Sequence, residues 1–142
     1  MKEERFDCVI DASVGIKLFL VEPLSDRTDV LFAHLIDDPP SQFYVPDLFF
    51  IECTNILWKY VQRFGYSADA ARQNVADLAR LPLQIISTTA LVEVALDLSV
   101  EYGSTAYDSA YIALAQQLSL PFVTADEALV RRFGNAGLDV RF

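Results

Sequence analysis

Short apolar runs alternate along this chain with longer stretches in which apolar side chains recur every three or four positions. That rhythm predicts strands separated by helices. FDCVI at 6–10 reads as a buried strand, followed by Asp11-Ala12-Ser13 and a helical stretch over 14–20 that stops before Pro23. Ser25 or Asp26 is placed to cap a helix reaching about His34, and Asp37-Asp38-Pro39-Pro40 reads as a loop. FYV at 43–45 is a second strand. Pro46-Asp47 then opens a long helix to Phe64 that Gly65 closes, with Asp47 as its cap. Ser67 starts a helix to Arg80, and LQIIS after Pro82 is a third strand. Helices are predicted over 89–102, ending at Gly103, and over 107–118. PFVT at 121–124 is a fourth strand, Asp126 opens a short helix to Phe133, and the final DVRF reads as an edge strand.

Strands alternating with helices argue for one α/β domain over 1–142 with a mostly parallel sheet and right-handed crossovers. No internal repeat, low-complexity tract or linker interrupts the pattern. In such sheets, sites form beyond the carboxyl ends of the strands, where strand order reverses. Asp11 follows the first strand and Asp126 the fourth. Glu52 lies in the first turns of its helix, and Asp108 opens its own, where helix dipoles favour carboxylates.

Composition sharpens this picture. The chain has 142 residues, enough for one sizeable core. The hydrophobic share of 53% and mean hydropathy of +0.27 are high for a chain this short, which suggests an apolar surface buried against a partner or second copy. No apolar run approaches ~18 uncharged residues, so no membrane span is expected. The start, MKEERFDC, has no signal-peptide core, and the expected location is the cytoplasm. Cys8 and Cys53 lack metal-type spacing and read as buried free thiols rather than a disulfide or a catalytic thiol. The net charge of −9 argues against a broad basic nucleic-acid surface. A nucleic acid would have to be gripped through metals and a few local Lys or Arg residues.

The candidate chemistry lies in four carboxylates: Asp11 in FDCVIDAS, Glu52 in FFIECTNIL, Asp108 in YDSAYIALA and Asp126 in FVTADEAL. Ionised carboxylates near a core are costly unless paired, and four together repel. A hard divalent cation removes both problems, because carboxylate oxygens are its natural ligands. Each residue also has a plainer reading. Asp11 or Ser13 caps a helix, Asp126 caps another, and Glu52 with Asn55, Lys59 and Gln62 or Arg63 forms a solvated stripe. Asp108 is displaced from the side marked by Ser109, Gln116 and Gln117, so a solvated role suits it less. Glu93, Asp97 and Glu101 repeat every four residues as an acidic stripe facing solvent. Asp69 and Asp77 read the same way, and His34, the one histidine, reads as a surface residue.

As an ordered set, VIDASVGIKLFLVEP, PDLFFIECTNIL and YDSAYIALAQQLSLPFVTAD closely resemble the PIN-domain nucleases, especially the VapC-type toxins of prokaryotic toxin–antitoxin pairs. The resemblance runs from about Asp7 to Arg132. Asp11, Glu52, Asp108 and Asp126 match the family's acidic quartet, Ser13 and Thr124 its small hydroxyl positions, and Asn55 a polar position one turn after the glutamate. The resemblance implies a central parallel sheet of five strands, dependence on Mg²⁺ or Mn²⁺, ribonuclease activity, and a homodimer held by a small antitoxin protein.

The mechanism these residues permit is hydrolysis of an RNA phosphodiester by water activated on one or two ions. Asp11 is the expected central ligand, with Asp108 and Asp126 beside it. Glu52 either binds metal through water or orients the nucleophile, and Ser13, Asn55 and Thr124 orient carboxylates. Metal-free cleavage through the 2′-hydroxyl usually needs an acid–base pair near neutral pKa, which a single histidine does not supply. No Gly-x-Gly-x-x-Gly or Walker loop is present. Two alternatives stay open: a PIN domain acting only as a binding or scaffold module, and a PIN nuclease in RNA processing rather than a toxin.

Overall fold

The structure is a computed structural model that describes residues 5–36 and 40–134, together with the backbone of 140 and 141. The predicted loop at 37–40 therefore lies mostly outside the described residues. Five parallel strands form one sheet: β1 (Cys8–Ile10), β2 (Phe43–Pro46), β3 (Gln84–Ile86), β4 (Phe122–Val123) and β5 (Val140–Arg141). Their order is β3-β2-β1-β4-β5. The α/β class, the parallel sheet and the edge position of β5 agree with the sequence reading.

The order explains where a site can form. The chain steps outward from β1 to β2 to β3, then returns to the other side of β1 for β4 and β5. Strand order thus reverses between β1 and β4, which are direct neighbours in the register Val9↔Phe122 and Ile10↔Val123. The crevice beyond their carboxyl ends is the place such sheets bind ligands. β1 is covered on both faces, and Cys8, Val9 and Ile10 are fully buried. That is why its sequence is a continuous apolar run. Both cysteines are free and buried, as expected.

Seven helices flank the sheet among the described residues: α1 (Ala12–Gly15), α2 (Ser25–Ala33), α3 (Leu48–Phe64), α4 (Ala68–Leu78), α5 (Val92–Tyr102), α6 (Ala106–Leu118) and α7 (Glu127–Phe133). α3 buries Phe49, Cys53 and Leu57, spaced one helical turn apart, and ends at Gly65 in the left-handed conformation (φ +67°) that glycine adopts without a Cβ penalty. α6 is buried continuously from Ser109 to Ala115.

Several local expectations are corrected. The first helix begins at Ala12, not at 14, because the Asp11 side chain accepts the Val14 N–H as an N-cap; a 3₁₀ turn over Ile16–Leu18 then replaces the rest of the expected helix. Neither Ser25 nor Asp26 caps α2. Leu24 holds that position at φ +73°, while the Ser25 hydroxyl accepts from Glu22 N at 3.0 Å and donates to the Leu20 carbonyl at 3.3 Å. Asp47 holds the N-cap position of α3, but its side chain makes no capping bond; its Oδ1 accepts from Thr88 N across 3.2 Å instead and ties β2's exit to the turn after β3. Ser109 is fully buried and accepts from the Ser99 hydroxyl at 2.9 Å, so it joins α6 to α5 instead of marking a solvated face. His34 is half-buried, with its ring 6.1 Å from that of Phe6. Glu93, Asp97 and Glu101 are exposed, as predicted.

One close contact seats α1 on α3. A Cβ on Gly15 would stand 2.6 and 2.8 Å from two ring atoms of Phe49, which is fully buried and has its ring edge-on to Phe50 at 5.2 Å. Gly15→Ala is expected to lower stability by about 1–3 kcal/mol, the usual cost of overpacking. Phe49→Leu added to it should recover part of the loss. Thermal unfolding of the two variants checks this; an unchanged Tm for Gly15→Ala would show that the ring gives way freely.

Candidate active site

Asp11 is only 6% exposed, yet three donors meet it. Its Oδ1 accepts from the Ser13 hydroxyl at 2.5 Å and from Val14 N at 3.2 Å, and its Oδ2 accepts from the Thr124 hydroxyl at 2.6 Å. Ser13 Oγ in turn accepts from Ala125 N at 2.9 Å, and Thr124 Oγ1 from Asp126 N at 3.0 Å. Each hydroxyl thus receives one backbone N–H and spends its single proton on Asp11. The pair locks the exit of β1 to the exit of β4. Burial nevertheless dominates, and the Asp11 carboxyl is pushed up to about 6; the three hydrogen bonds pull it down, and the charge of Asp108 adds to the rise.

α3 brings Glu52 to the same place. Cys53 faces the core, so the neighbouring Glu52 side chain lies at the edge of the buried face, half-exposed. Its Oε1 accepts from the Tyr111 hydroxyl at 2.6 Å. The carboxyl is held above the usual range, first by burial, with Asp108 and Asp11 adding to it and the Tyr111 bond opposing it. Asp108 sits in the first turn of α6, where Thr105 caps the helix by accepting from Asp108 N at 3.2 Å. Burial raises its carboxyl first and the Asp126 charge next, while Thr105 and the Arg132 guanidinium lower it. Asp126 caps α7 by accepting from Ala128 N at 2.9 Å, and is exposed. For Asp11 and Asp126 the capping role and the place at the crevice occur together.

All four carboxylates line one pocket of about 250 Å³, with Ser13, Asn55, Lys59 and Tyr111 among the other lining residues. Thr124 is not at its surface but stands behind Asp11. Two neighbours escaped the sequence reading. By periodicity Tyr111 belongs only to the apolar surroundings of Asp108; its signal is that a buried tyrosine needs a partner for its hydroxyl, and it is 1% exposed. Lys59 reads from the sequence as part of a solvated stripe, but its row with Glu52 and Asn55 runs along the pocket.

Among the described residues no three His, Cys, Asp or Glu side chains are gathered closely enough to hold one ion. Both Asp11 oxygens, one Glu52 oxygen and one Asp126 oxygen are turned to protein donors. Such a donor set suits Mg²⁺, which keeps several waters and takes one or two carboxylates directly, more than an ion needing a full protein cage. The acidity of the pocket, and the lack of ion pairs on its four carboxylates among the described residues, fit a divalent cation.

A parallel sheet reversing between β1 and β4, with acidic residues capping α1 and α7 and borne on α3 and α6 at that reversal, defines the class. A family model described as PIN domain matches residues 8–134, and the chain belongs to the PIN domain family. Among curated proteins, it is similar to Ribonuclease VapC3 of Pyrobaculum aerophilum, 28% identical over 127 residues that cover 88% of this chain and 93% of that protein. Among solved structures, the crystal structure of PAE2754 from Pyrobaculum aerophilum shares the fold with a TM-score of 0.68 and 24% identity, covering 96% of this chain and 92% of that one. A toxin–antitoxin complex from Klebsiella pneumoniae shares it with a TM-score of 0.65 and 18% identity, covering 95% and 96%. No described helix is long and apolar enough to cross a membrane.

Proposed function

We propose that this chain is an endoribonuclease dependent on Mg²⁺ or Mn²⁺, and the toxin of a toxin–antitoxin pair. One observation carries the reading: four carboxylates line a single pocket at the strand-order reversal, and mutual repulsion links them in series, Glu52 with Asp11 and Asp108, and Asp108 with Asp126. Helix capping accounts for Asp11 and Asp126 there but not for Glu52 and Asp108 beside them. The likeness to Ribonuclease VapC3 supports RNA as substrate.

In this reading Asp11, Glu52, Asp108 and Asp126 hold one or two ions, directly or through water. A bound divalent ion would supply positive charge at the scissile phosphate and lower the pKa of an attacking water. The chain's own contribution is positioning. Ser13 and Thr124 fix both Asp11 oxygens, Tyr111 fixes one Glu52 oxygen and leaves the other to the pocket, and Asn55 offers an amide one turn beyond Glu52. Tyr111 is itself unsuited to proton transfer. Burial and the Glu52 charge drive its hydroxyl far above its ordinary range, so it stays a donor.

The test is cleavage of a defined RNA with Mg²⁺, with Mn²⁺ and with excess EDTA. Cleavage is expected only with metal, giving 5′-phosphate and 3′-hydroxyl ends, because water rather than the 2′-hydroxyl attacks. Cyclic 2′,3′-phosphate ends or full activity in EDTA would overturn the mechanism. Absence of cleavage under every condition would favour the binding-module reading, which the hydrogen-bonded state of the carboxylates also allows.

The reading includes a cytoplasmic homodimer with an antitoxin encoded in an adjacent small reading frame. Exposed Ile51 and Trp58 on α3, with Tyr107 at the start of α6, border a groove of about 580 Å³ beside Glu52. Two-fold pairing is the commonest way to cover such a surface. Sedimentation should give a dimer at micromolar concentration, and a monomer at high micromolar concentration would remove this element.

A further inference from the structure

The pocket is acidic, the whole chain carries −9, and the proposed substrate is a polyanion. Long-range electrostatics therefore oppose RNA approach. Ions on the carboxylates would offset this at the scissile phosphate only, leaving the phosphates on either side facing an acidic protein. Something else must hold them.

Four basic side chains are already committed to acids. Arg5 pairs with Asp7, Lys17 with Glu22, Arg72 with Asp69 and Arg131 with Glu127. Lys59 and Arg132 are not. Lys59 lines the pocket from α3, one turn beyond Asn55 and two beyond Glu52. Arg132 stands on α7 one turn beyond Leu129, which lines the same pocket. Both are exposed, and neither is in an ion pair among the described residues. They come from different helices, α3 and α7, whose residues line the acidic pocket.

We infer that Lys59 and Arg132 are substrate-binding residues that grip the RNA phosphates flanking the scissile bond, with Asn55 beside Lys59 as a neutral contact to the same backbone. This rests on the nuclease reading for the identity of the substrate. The rival role is neutralisation of the carboxylates, in which the two cations serve the empty pocket and never touch RNA. The two roles predict opposite readouts.

The experiment measures binding of fluorescein-labelled single-stranded RNA to protein carrying Asp11→Asn, in Mg²⁺ across a range of KCl. Lys59→Gln and Arg132→Gln should each weaken binding about three- to tenfold. Each should also reduce the slope of log K against log salt by about 0.7, the value for one phosphate contact on a single strand. Arg131→Gln, a neighbour already paired with Glu127, should change neither. With Asp11 restored, the same two variants should raise KM and leave kcat within about twofold. Unchanged affinity and slope, together with a larger Mn²⁺-induced rise in Tm, would overturn the inference and assign the cations to the carboxylates. If wild type cleaves RNA and the variants match it, the inference fails and the nuclease reading stands. If wild type binds RNA through these residues but never cleaves it, the reading of catalysis fails and the inference stands.

Discussion

Asp11→Asn is expected to lower metal-dependent RNA cleavage by about two orders of magnitude or more, beyond the ten- to hundredfold typical of groups that only orient a ligand. The substitution keeps the shape of the side chain. The amide oxygen still accepts from Val14 N and the Ser13 hydroxyl. The amide nitrogen meets Thr124 Oγ1, whose proton can turn to Ser13 Oγ 3.3 Å away. The latch between β1 and β4 therefore survives, and what is lost is one negative charge at the centre of the quartet. A variant that loses its fold instead would show that the carboxylate is needed as a cap, and the catalytic assignment of Asp11 would fall.

The same variant has a stability signature with a definite sign. The Asp11 carboxyl is raised from 3.8 to about 6 in the folded protein, so the folded state holds its proton more tightly than the unfolded chain. Its stabilising contribution is fully present below about pH 4 and is lost as pH rises to about 6 and beyond. Two units at 1.36 kcal/mol each make this roughly 3 kcal/mol. In the absence of metal, Asp11→Asn should not show this loss. It should gain on wild type between pH 4 and 7 and be equally or more stable at pH 7. Mn²⁺ should then raise the Tm of wild type at pH 7 by binding the folded state, and raise that of the variant less. Asp97→Asn, on the exposed face of α5, should match wild type in activity and metal response. A wild-type minus variant stability difference that does not move between pH 4 and 7 would contradict the burial of an ionising Asp11.

Much of this site was legible in the sequence because two signals coincided at each acid. Asp11 and Asp126 each follow an apolar strand and precede a helix, and that single placement makes a residue both a cap and a lining of the crevice. Strand adjacency was not legible, since nothing local says that β4 returns beside β1. Local competition hid the rest. Ser25 and Asp47 are good capping residues by type, but a loop carbonyl and a turn amide recruit them, and these are partners at a distance that periodicity does not reveal. Ser109 misled for a related reason: a small hydroxyl can be buried once another hydroxyl, here that of Ser99, satisfies it. Tyr111 was hidden because its ring obeys the apolar pattern while its oxygen serves Glu52.

Tyr111→Phe tests that last point and should lower kcat/KM by about ten- to hundredfold. The ring is held by stacking on Phe122 at 5.9 Å and by complete burial, so phenylalanine should occupy the same space. Only the donor to Glu52 is removed. The half-exposed carboxylate can take water in its place, so the stability cost should be about 1.5 kcal/mol, the low end for a hydrogen bond to a charged group. The Tyr111 bond is what draws the Glu52 carboxyl down against burial and its acidic neighbours. Without it that carboxyl rises further, and the acid limb of the kcat/KM profile should move to higher pH. Tyr66→Phe removes a bond of similar length, the 2.5 Å contact from the turn after α3 to Asn74 on α4, and should cost comparable stability while leaving activity and its pH profile unchanged. If both tyrosine variants lose only stability, Tyr111 is a packing residue with a conveniently placed hydroxyl. If only Tyr111→Phe shifts the profile, the hydroxyl sets the charge and direction of Glu52.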